Sequence, residues 1–247
     1  MSFRRHQQDW EDLAELDPLW SILTIHGRKF NNWDVEEFFL TGEREIQTAI
    51  NHSKQLGHPL EFKSALDFGC GVGRLTRYLG MHFQECYGVD ISERMIEKAK
   101  ELNKSYPNCR FILNSEKLDM FPDNKFDMVY TSIVLQHIPE KNMIKSYIYE
   151  FIRVLKENGL LIFQLPHYIP LRYRFQPIRR AYSLLNKLGI DKNFLYNNLL
   201  LSPMRMTCIQ EKEIGVFLNK IGGKVLESTP DNRAGASIHS RTYFVTK

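Results

Sequence analysis

From Phe62 to Pro166 the chain alternates short apolar runs with amphipathic stretches, and this alternation restricts the fold more than any other feature. "KSALDFG", "ECYGVDI", "CRFILN", "FDMVYTSIV" and "GLLIFQLP" read as five strands bounded by turn and cap residues. Between them, "SERMIEKAKELN" offers Ser92 as a helix cap with Ile96 and Ala99 on one face. "EKNMIKSYIYEFIRVLKENG" carries Ile144, Ile148, Phe151 and Leu155 at helical spacing. Repeated strand and helix predict an α/β fold, a mostly parallel sheet with helices on both faces.

The flanks read differently. Residues 1–60 form a helical N-terminal cap, in which Asp34 caps a helix with Glu37 three positions on, and Gly57 ends a stretch that places Ile46, Ala49 and Ile50 on one side. After Pro166 the alternation breaks into a segment rich in Tyr, Arg, Leu and Pro, read as a cap insert over about 167–208. A helix, "EKEIGVFLNKIGG", and two final strands, "KVLEST" and "SRTYFVTK", complete the chain, the strands joined by a polar loop with Pro230 and Gly235. At 43% hydrophobic and 25% charged residues, 247 residues suffice for one sizeable core. The net charge of +4 is spread along the chain, too mild a balance to imply nucleic acid. Cys70, Cys86, Cys109 and Cys208 form no C-x-x-C pair, so no zinc site or disulfide framework is expected. A reducing cytoplasm is the expected compartment, because no leader-type apolar region follows Met1 to Arg5 and no apolar run approaches the roughly 18 residues of a membrane span.

The first strand runs into "GCGVG", placing Gly69, Gly71 and Gly73 where a ligand approaches backbone at the start of a helix. Arg74 stands where a dinucleotide fingerprint or a phosphate-binding loop requires other residues, so both of those readings weaken. Asp90 ends the second strand about twenty residues on, where a carboxylate accepts from ribose hydroxyls, or else caps the next helix. Asp67 is a carboxylate inside an apolar strand and needs donors, either loop N–H groups or a ligand's ammonium. Together they point to a nucleoside ligand with a cationic or amine portion, as in S-adenosylmethionine.

Here the sequence resembles the class I S-adenosylmethionine-dependent methyltransferases over most of the chain. "LDFGCGVGRLTRYL", "YGVDIS", "FILNSEKL" and "FDMVYTSIVLQHIP" are similar to their first four motifs in order, followed by "EFIRVLKENGLLIFQLP". The resemblance implies a Rossmann-like seven-stranded sheet with a final antiparallel strand, residues 61–247 forming the methyltransferase domain. It further implies that Asp67 and the Gly69, Cys70 and Gly71 backbone hold the methionine part of the cofactor, Gly73 permits the turn and Asp90 holds the ribose. Ile91 and Met95 then pack on the adenine, and Asn114, with Ser115 beside it, stands where the family usually has Asp. Thr131 and Ser132 meet the cofactor's amino-acid end. Cys70 reads as a small filler between glycines.

The resemblance does not name the methyl acceptor. His137, in "LQHIP" past the fourth strand, is a candidate base or a packing residue, and His167, after the fifth strand, is a second candidate. Arg28, near His26, reads as a partner for the cofactor carboxylate or a solvated charge. "TSIV" departs from the Pro-Pro-aromatic pattern of enzymes that methylate DNA-base amines, so that chemistry is not expected. The resulting expectation is methyl transfer to a small or medium acceptor, with O-methylation of a metabolite, sugar or glycan intermediate ahead of N-methylation. S-adenosyl-L-homocysteine would be the product and no metal would be used. The alternatives are a non-catalytic cofactor-binding or scaffolding protein and an aminopropyl transferase. In the insert, Arg172, Arg174, Arg179 and Arg180 alternate with Tyr173, Phe175 and Ile178, a pattern for a peripheral membrane, lipid-linked or phosphate-bearing partner, or for a solvated helix face.

Overall fold

A computed structural model describes residues 3–235 and 237–247. The strands are β1 (Ser64–Phe68), β2 (Glu85–Asp90), β3 (Cys109–Leu113), β4 (Phe126–Thr131), β5 (Leu155–Tyr168), β6 (Lys224–Asp231) and β7 (His239–Thr246). They form one sheet in the order β3-β2-β1-β4-β5-β7-β6. Pairing is parallel from β3 to β5, while β7 runs antiparallel to both β5 and β6. The expected seven-stranded, mostly parallel sheet with a final antiparallel strand is therefore present.

Side-chain alternation along the central strands divides the core in two. Leu66, Phe68, Val129, Leu161 and Phe163 face one cluster, with Ile148 and Phe151 of α6 (Lys141–Val154) and Leu218 of α10 (Glu211–Lys220). Ala65, Met128, Tyr130, Leu160 and Ile162 face the other, with Phe38, Ile46 and Ile50 of α3 (Val35–Leu56). Both faces of the sheet are covered, so the period-2 pattern reads as continuous burial in β1 and β4.

The helix boundaries follow local chemistry. Asp34 accepts from the Glu37 N–H at 2.8 Å to open α3, and Gly57 closes it at φ +71°. Ser92 accepts from the Met95 N–H at 3.2 Å to open α5 (Glu93–Leu102). One boundary differs from the sequence reading: α6 stops at Val154, and Leu155, expected on its apolar face, begins β5 opposite Phe126. A pairing irregularity between Phe126 and Met128 absorbs the residues before Gly159, so no loop separates helix from strand.

The N-terminal helices α1 (Phe3–Leu16) and α2 (Pro18–Ile22) lie across the carboxyl ends of the strands. Gln7 donates to the Ile91 carbonyl at 2.9 Å, anchoring α1 beside the end of β2. Short α4 (Thr76–Leu79) follows the glycine turn. The segment after β5 forms α7 (Leu171–Arg174), α8 (Pro177–Lys187) and α9 (Lys192–Asn197). Acidic residues of the N-terminal segment hold it in place. Arg205 meets Asp9 at 3.2 Å, Lys192 meets Asp12 at 3.3 Å, and the Tyr196 hydroxyl donates to Asp17 at 3.0 Å. The side chain of Arg172 lies outside what the structure describes.

Candidate cofactor and acceptor site

A partly open cavity lies where β1, β2 and β4 end beneath α1 and α2. Its floor includes Gly69 and Gly71, its wall Asp90, Ile91, Met95, Asn114 and Ser132, and its roof His6, Trp10 and Ile22. The lining is mostly carbon, with few polar groups to fix a ligand's orientation.

The turn is built on left-handed backbone, with φ of +75° at Gly69, +52° at Gly71 and +84° at Gly73. A Cβ on Gly69 would stand 2.4 Å from Val134, and one on Gly71 2.4 Å from the Ile22 side chain, so glycine leaves room at the cavity floor. Gly73 turns the other way, against Asn103 and Phe111. The N–H groups of Gly69 and Cys70 already donate to the Val89 carbonyl at 2.8 and 2.9 Å, and that of Gly71 donates to Asp90 at 2.9 Å. The glycines thus contribute close approach rather than free donors. The Cys70 side chain packs with Ile96, Ala99 and Phe111, and burial pushes its thiol well up, which suits a filler.

Asp90 spans the floor and wall. One carboxylate oxygen takes the Gly71 N–H and the other takes the Ser92 N–H, each at 2.9 Å. Burial raises its pKa to about 6, against the pull of those N–H groups. Asp67 lies behind the turn, 1% exposed and outside the cavity lining, and accepts from the Thr76 hydroxyl at 2.6 Å. Burial raises its pKa to about 7 despite Thr76 and nearby Arg74. Asn114 lines the wall with both its amide oxygen and its amide nitrogen buried and without partners. A buried amide in that state costs about 1–3 kcal/mol, which a ligand offering one donor and one acceptor would recover. An adenine edge offers both, so this wall, the two apolar residues beside it and the glycine floor fit a bound S-adenosylmethionine.

Other expected site residues sit elsewhere. The Ser115 hydroxyl is exposed and donates to the Lys117 carbonyl at 3.3 Å, and Thr131 is buried behind the lining with its hydroxyl unpartnered. Arg28 pairs with Glu37 at 2.5 Å and stacks on Trp33 rather than entering the cavity. His137 is buried outside the lining, with Nδ1 2.6 Å from the Arg205 carbonyl and Nε2 3.2 Å from the Gln136 amide nitrogen. A carbonyl accepts and an amide nitrogen donates, so Nδ1 carries the proton and Nε2 is occupied. Burial lowers its pKa to about 4, and the ring packs edge-on to Trp10. Both ring nitrogens of His137 are thus engaged by the protein, the packing arrangement that the sequence offered beside the catalytic one. His167 lines a different depression, with Arg174 and Glu211.

Two groups not anticipated from the sequence complete the site. His6 lines the roof, its Nδ1 buried and without a partner, and burial together with Arg205 and His137 lowers its pKa to about 3. The only advance signal was the spacing of His6 and Trp10, four residues apart on one amphipathic helix. The second is a polar knot beside Ser132. Glu45 of α3 meets Arg74 at 2.8 Å and Arg233 of the β6–β7 connection at 2.6 Å, and the Tyr130 hydroxyl donates to it at 3.0 Å. Arg233 also donates to the Ser132 hydroxyl at 2.8 Å, joining the knot to the cavity wall.

The strand order, the glycine turn closing β1 and the carboxylate closing β2 give this chain the Rossmann-like fold that S-adenosylmethionine-dependent methyltransferases share. Residues 66–163 match the methyltransferase-domain family. A Haemophilus influenzae protein of uncharacterised function is 35% identical over 153 residues, covering 56% of this chain and 59% of that protein. The 2-methyl-6-phytyl-1,4-hydroquinone methyltransferase of Synechocystis is 30% identical over 100 residues, covering 40% of this chain and 30% of its own. The chain thus spans less than two thirds of the length of these curated relatives. Among solved structures, magnesium protoporphyrin IX methyltransferase from Synechocystis with bound S-adenosylmethionine superposes with a TM-score of 0.62 at 18% identity, covering 98% of this chain and 97% of that one. At that identity the likeness concerns the fold.

Proposed function

We propose that this chain binds S-adenosylmethionine in the cavity beneath α1 and directs methyl transfer to a hydroxyl of a small or medium acceptor, a metabolite, sugar or glycan intermediate. The observation that carries the cofactor reading is Asp90, a cavity-lining carboxylate oriented by the Gly71 and Ser92 N–H groups. Each oxygen keeps a lone pair for a ribose hydroxyl. Ile91 and Met95 sandwich the base and Asn114 reads its edge, with Ser132 turned toward the amino-acid end. Asp67 supplies negative charge beneath the turn and, titrating near 7, ionises when a cation is seated above it.

When bound, S-adenosylmethionine supplies an electrophilic methyl on a sulfonium. The chain's own contribution is to seat the acceptor in line and keep water out, tasks that fall to Trp10, Ile22 and Val134 around the cavity. His6 favours a hydroxyl acceptor. With its pKa near 3 the ring is neutral at pH 7, so one ring nitrogen accepts a hydrogen bond from the hydroxyl. It takes that proton as the O–CH3 bond forms and the C–S bond breaks, then releases it to solvent. A hydroxyl donating to it has its oxygen aligned.

The test is incorporation of labelled methyl from S-adenosylmethionine into cell-extract acceptors. His6→Ala is expected to lower incorporation at saturating cofactor by at least about tenfold while S-adenosylhomocysteine affinity changes less than about threefold. Full incorporation by His6→Ala would remove His6 and its argument for a hydroxyl acceptor.

A further inference from the structure

We propose that the segment between β5 and α10 is a docking surface for an anionic lipid bilayer. Half of the large apolar side chains exposed among the described residues fall within residues 168–200. The most exposed are Leu188 at 70%, Leu171 at 66% and Leu184 at 61%, with Phe175 and Ile178 also more than half exposed. Isolated exposed leucines need no explanation, but a concentration of this kind marks a contact surface.

The arrangement is amphipathic. On α8 and its C-terminal cap residue, Ile178, Leu184 and Leu188 project within about one third of the helix circumference, given roughly 100° per residue. Arg180 and Lys187, both exposed, lie along one edge of that arc. Buried Tyr182 faces α1, reaching Asp12 at 3.5 Å, so the inner side of α8 is already committed. An outward apolar stripe edged by long basic side chains is the geometry of a helix lying in a membrane interface, where aliphatic groups enter the acyl boundary and cationic heads meet phosphates.

Charge selects the occupant. Residues 167–208 contain seven Lys and Arg and a single Asp, and although Lys192 and Arg205 are taken up by Asp12, Glu15 and Asp9 of α1, Arg180 and Lys187 stand exposed beside the apolar stripe. Two copies apposed through this face would bring like charges together, whereas an anionic leaflet complements it. No helix among the described residues is long and apolar enough to cross a membrane, so the contact is peripheral.

The test is cosedimentation of the full chain with vesicles of phosphatidylcholine containing about 30% phosphatidylserine, against phosphatidylcholine alone, at about 0.1 M salt. Partitioning onto the anionic vesicles is expected to be at least about tenfold stronger and to weaken as salt rises. Leu184→Asp with Leu188→Asp, and separately Arg180→Glu with Lys187→Glu, should each lower it at least about tenfold with the melting temperature retained. Equal partitioning onto both vesicles, or binding indifferent to both double substitutions, would overturn the proposal. So would a concentration-dependent dimer abolished by the leucine substitutions without vesicle binding, which would assign the face to a second copy. None of these outcomes depends on methyl transfer.

Discussion

Glu45→Ala is expected to lower the unfolding free energy by about 3 kcal/mol, at the low end for breaking a buried ion pair because Arg233 is partly exposed. The loss arises from what remains. Arg74, with only 4% of its side chain exposed, would keep its charge without a carboxylate, and the Tyr130 hydroxyl would lose its acceptor. Burial alone would raise the Glu45 pKa, but Arg74 and Arg233 outweigh it and hold it at about 2. A folded-state value below the ordinary 4.5 means the contribution is fully present above about pH 4.5 and is lost as pH falls through about 2. Urea unfolding at pH 7 and near pH 2 should therefore show a large gap between wild type and Glu45→Gln at pH 7 and a small one in acid. A loss under about 1 kcal/mol at pH 7 would mean that the knot does not hold the cavity wall.

Replacement of Asp90 by alanine is expected to weaken S-adenosylhomocysteine binding by about 1.5–3 kcal/mol, the range for hydrogen bonds to a charged group. Two effects combine, because the ribose would lose its acceptor and the Gly71 and Ser92 N–H groups would lose theirs. The same carboxylate gives wild-type binding a pH dependence. Its folded-state pKa is raised to about 6, so the ligand-free protein carries a protonated Asp90 below that pH. Ribose hydroxyls donate best to the ionised form, so affinity should rise between about pH 5 and 7 and then level off. Asp90→Asn should keep part of the affinity and lose this component of the slope. Unchanged calorimetric affinity in Asp90→Ala would take this residue out of the site.

The parts of this molecule legible in the sequence are those set by local pattern. Alternation from Phe62 to Pro166 specifies parallel strands with helices between, and Asp34, Gly57 and Ser92 mark helix ends through their own backbone chemistry. Asp90, Ile91, Met95, Asn114 and Ser132 reach one cavity because each lies at or just past the end of a strand in a sheet whose order brings those ends together. That N-terminal helices cap the sheet was legible, but not which of their side chains line the cavity, since that depends on contacts such as Gln7 meeting Ile91 across 84 residues of sequence. Nor was the internal use of the turn's donors, because the Val89 carbonyl that receives two of them belongs to the neighbouring strand. Nor could the sequence show what engages His137, because the Arg205 carbonyl that its Nδ1 meets lies 68 residues away. Glu45 reads from its helix as one more surface charge, yet α3 approaches so closely that a Cβ on Gly42 would lie 2.4 Å from the Arg74 carbonyl oxygen.

The central claim is that the cavity under α1 is a site for S-adenosylmethionine, and thermal melting of the full chain with that ligand, with S-adenosylhomocysteine and with NAD tests it most directly. A ligand that binds only the folded state raises the melting temperature with its concentration. The account predicts a saturable rise with the two sulfur nucleosides, absent with NAD and diminished in Asp90→Ala. Melting unmoved by millimolar S-adenosylmethionine and S-adenosylhomocysteine, or moved equally by NAD, would contradict it.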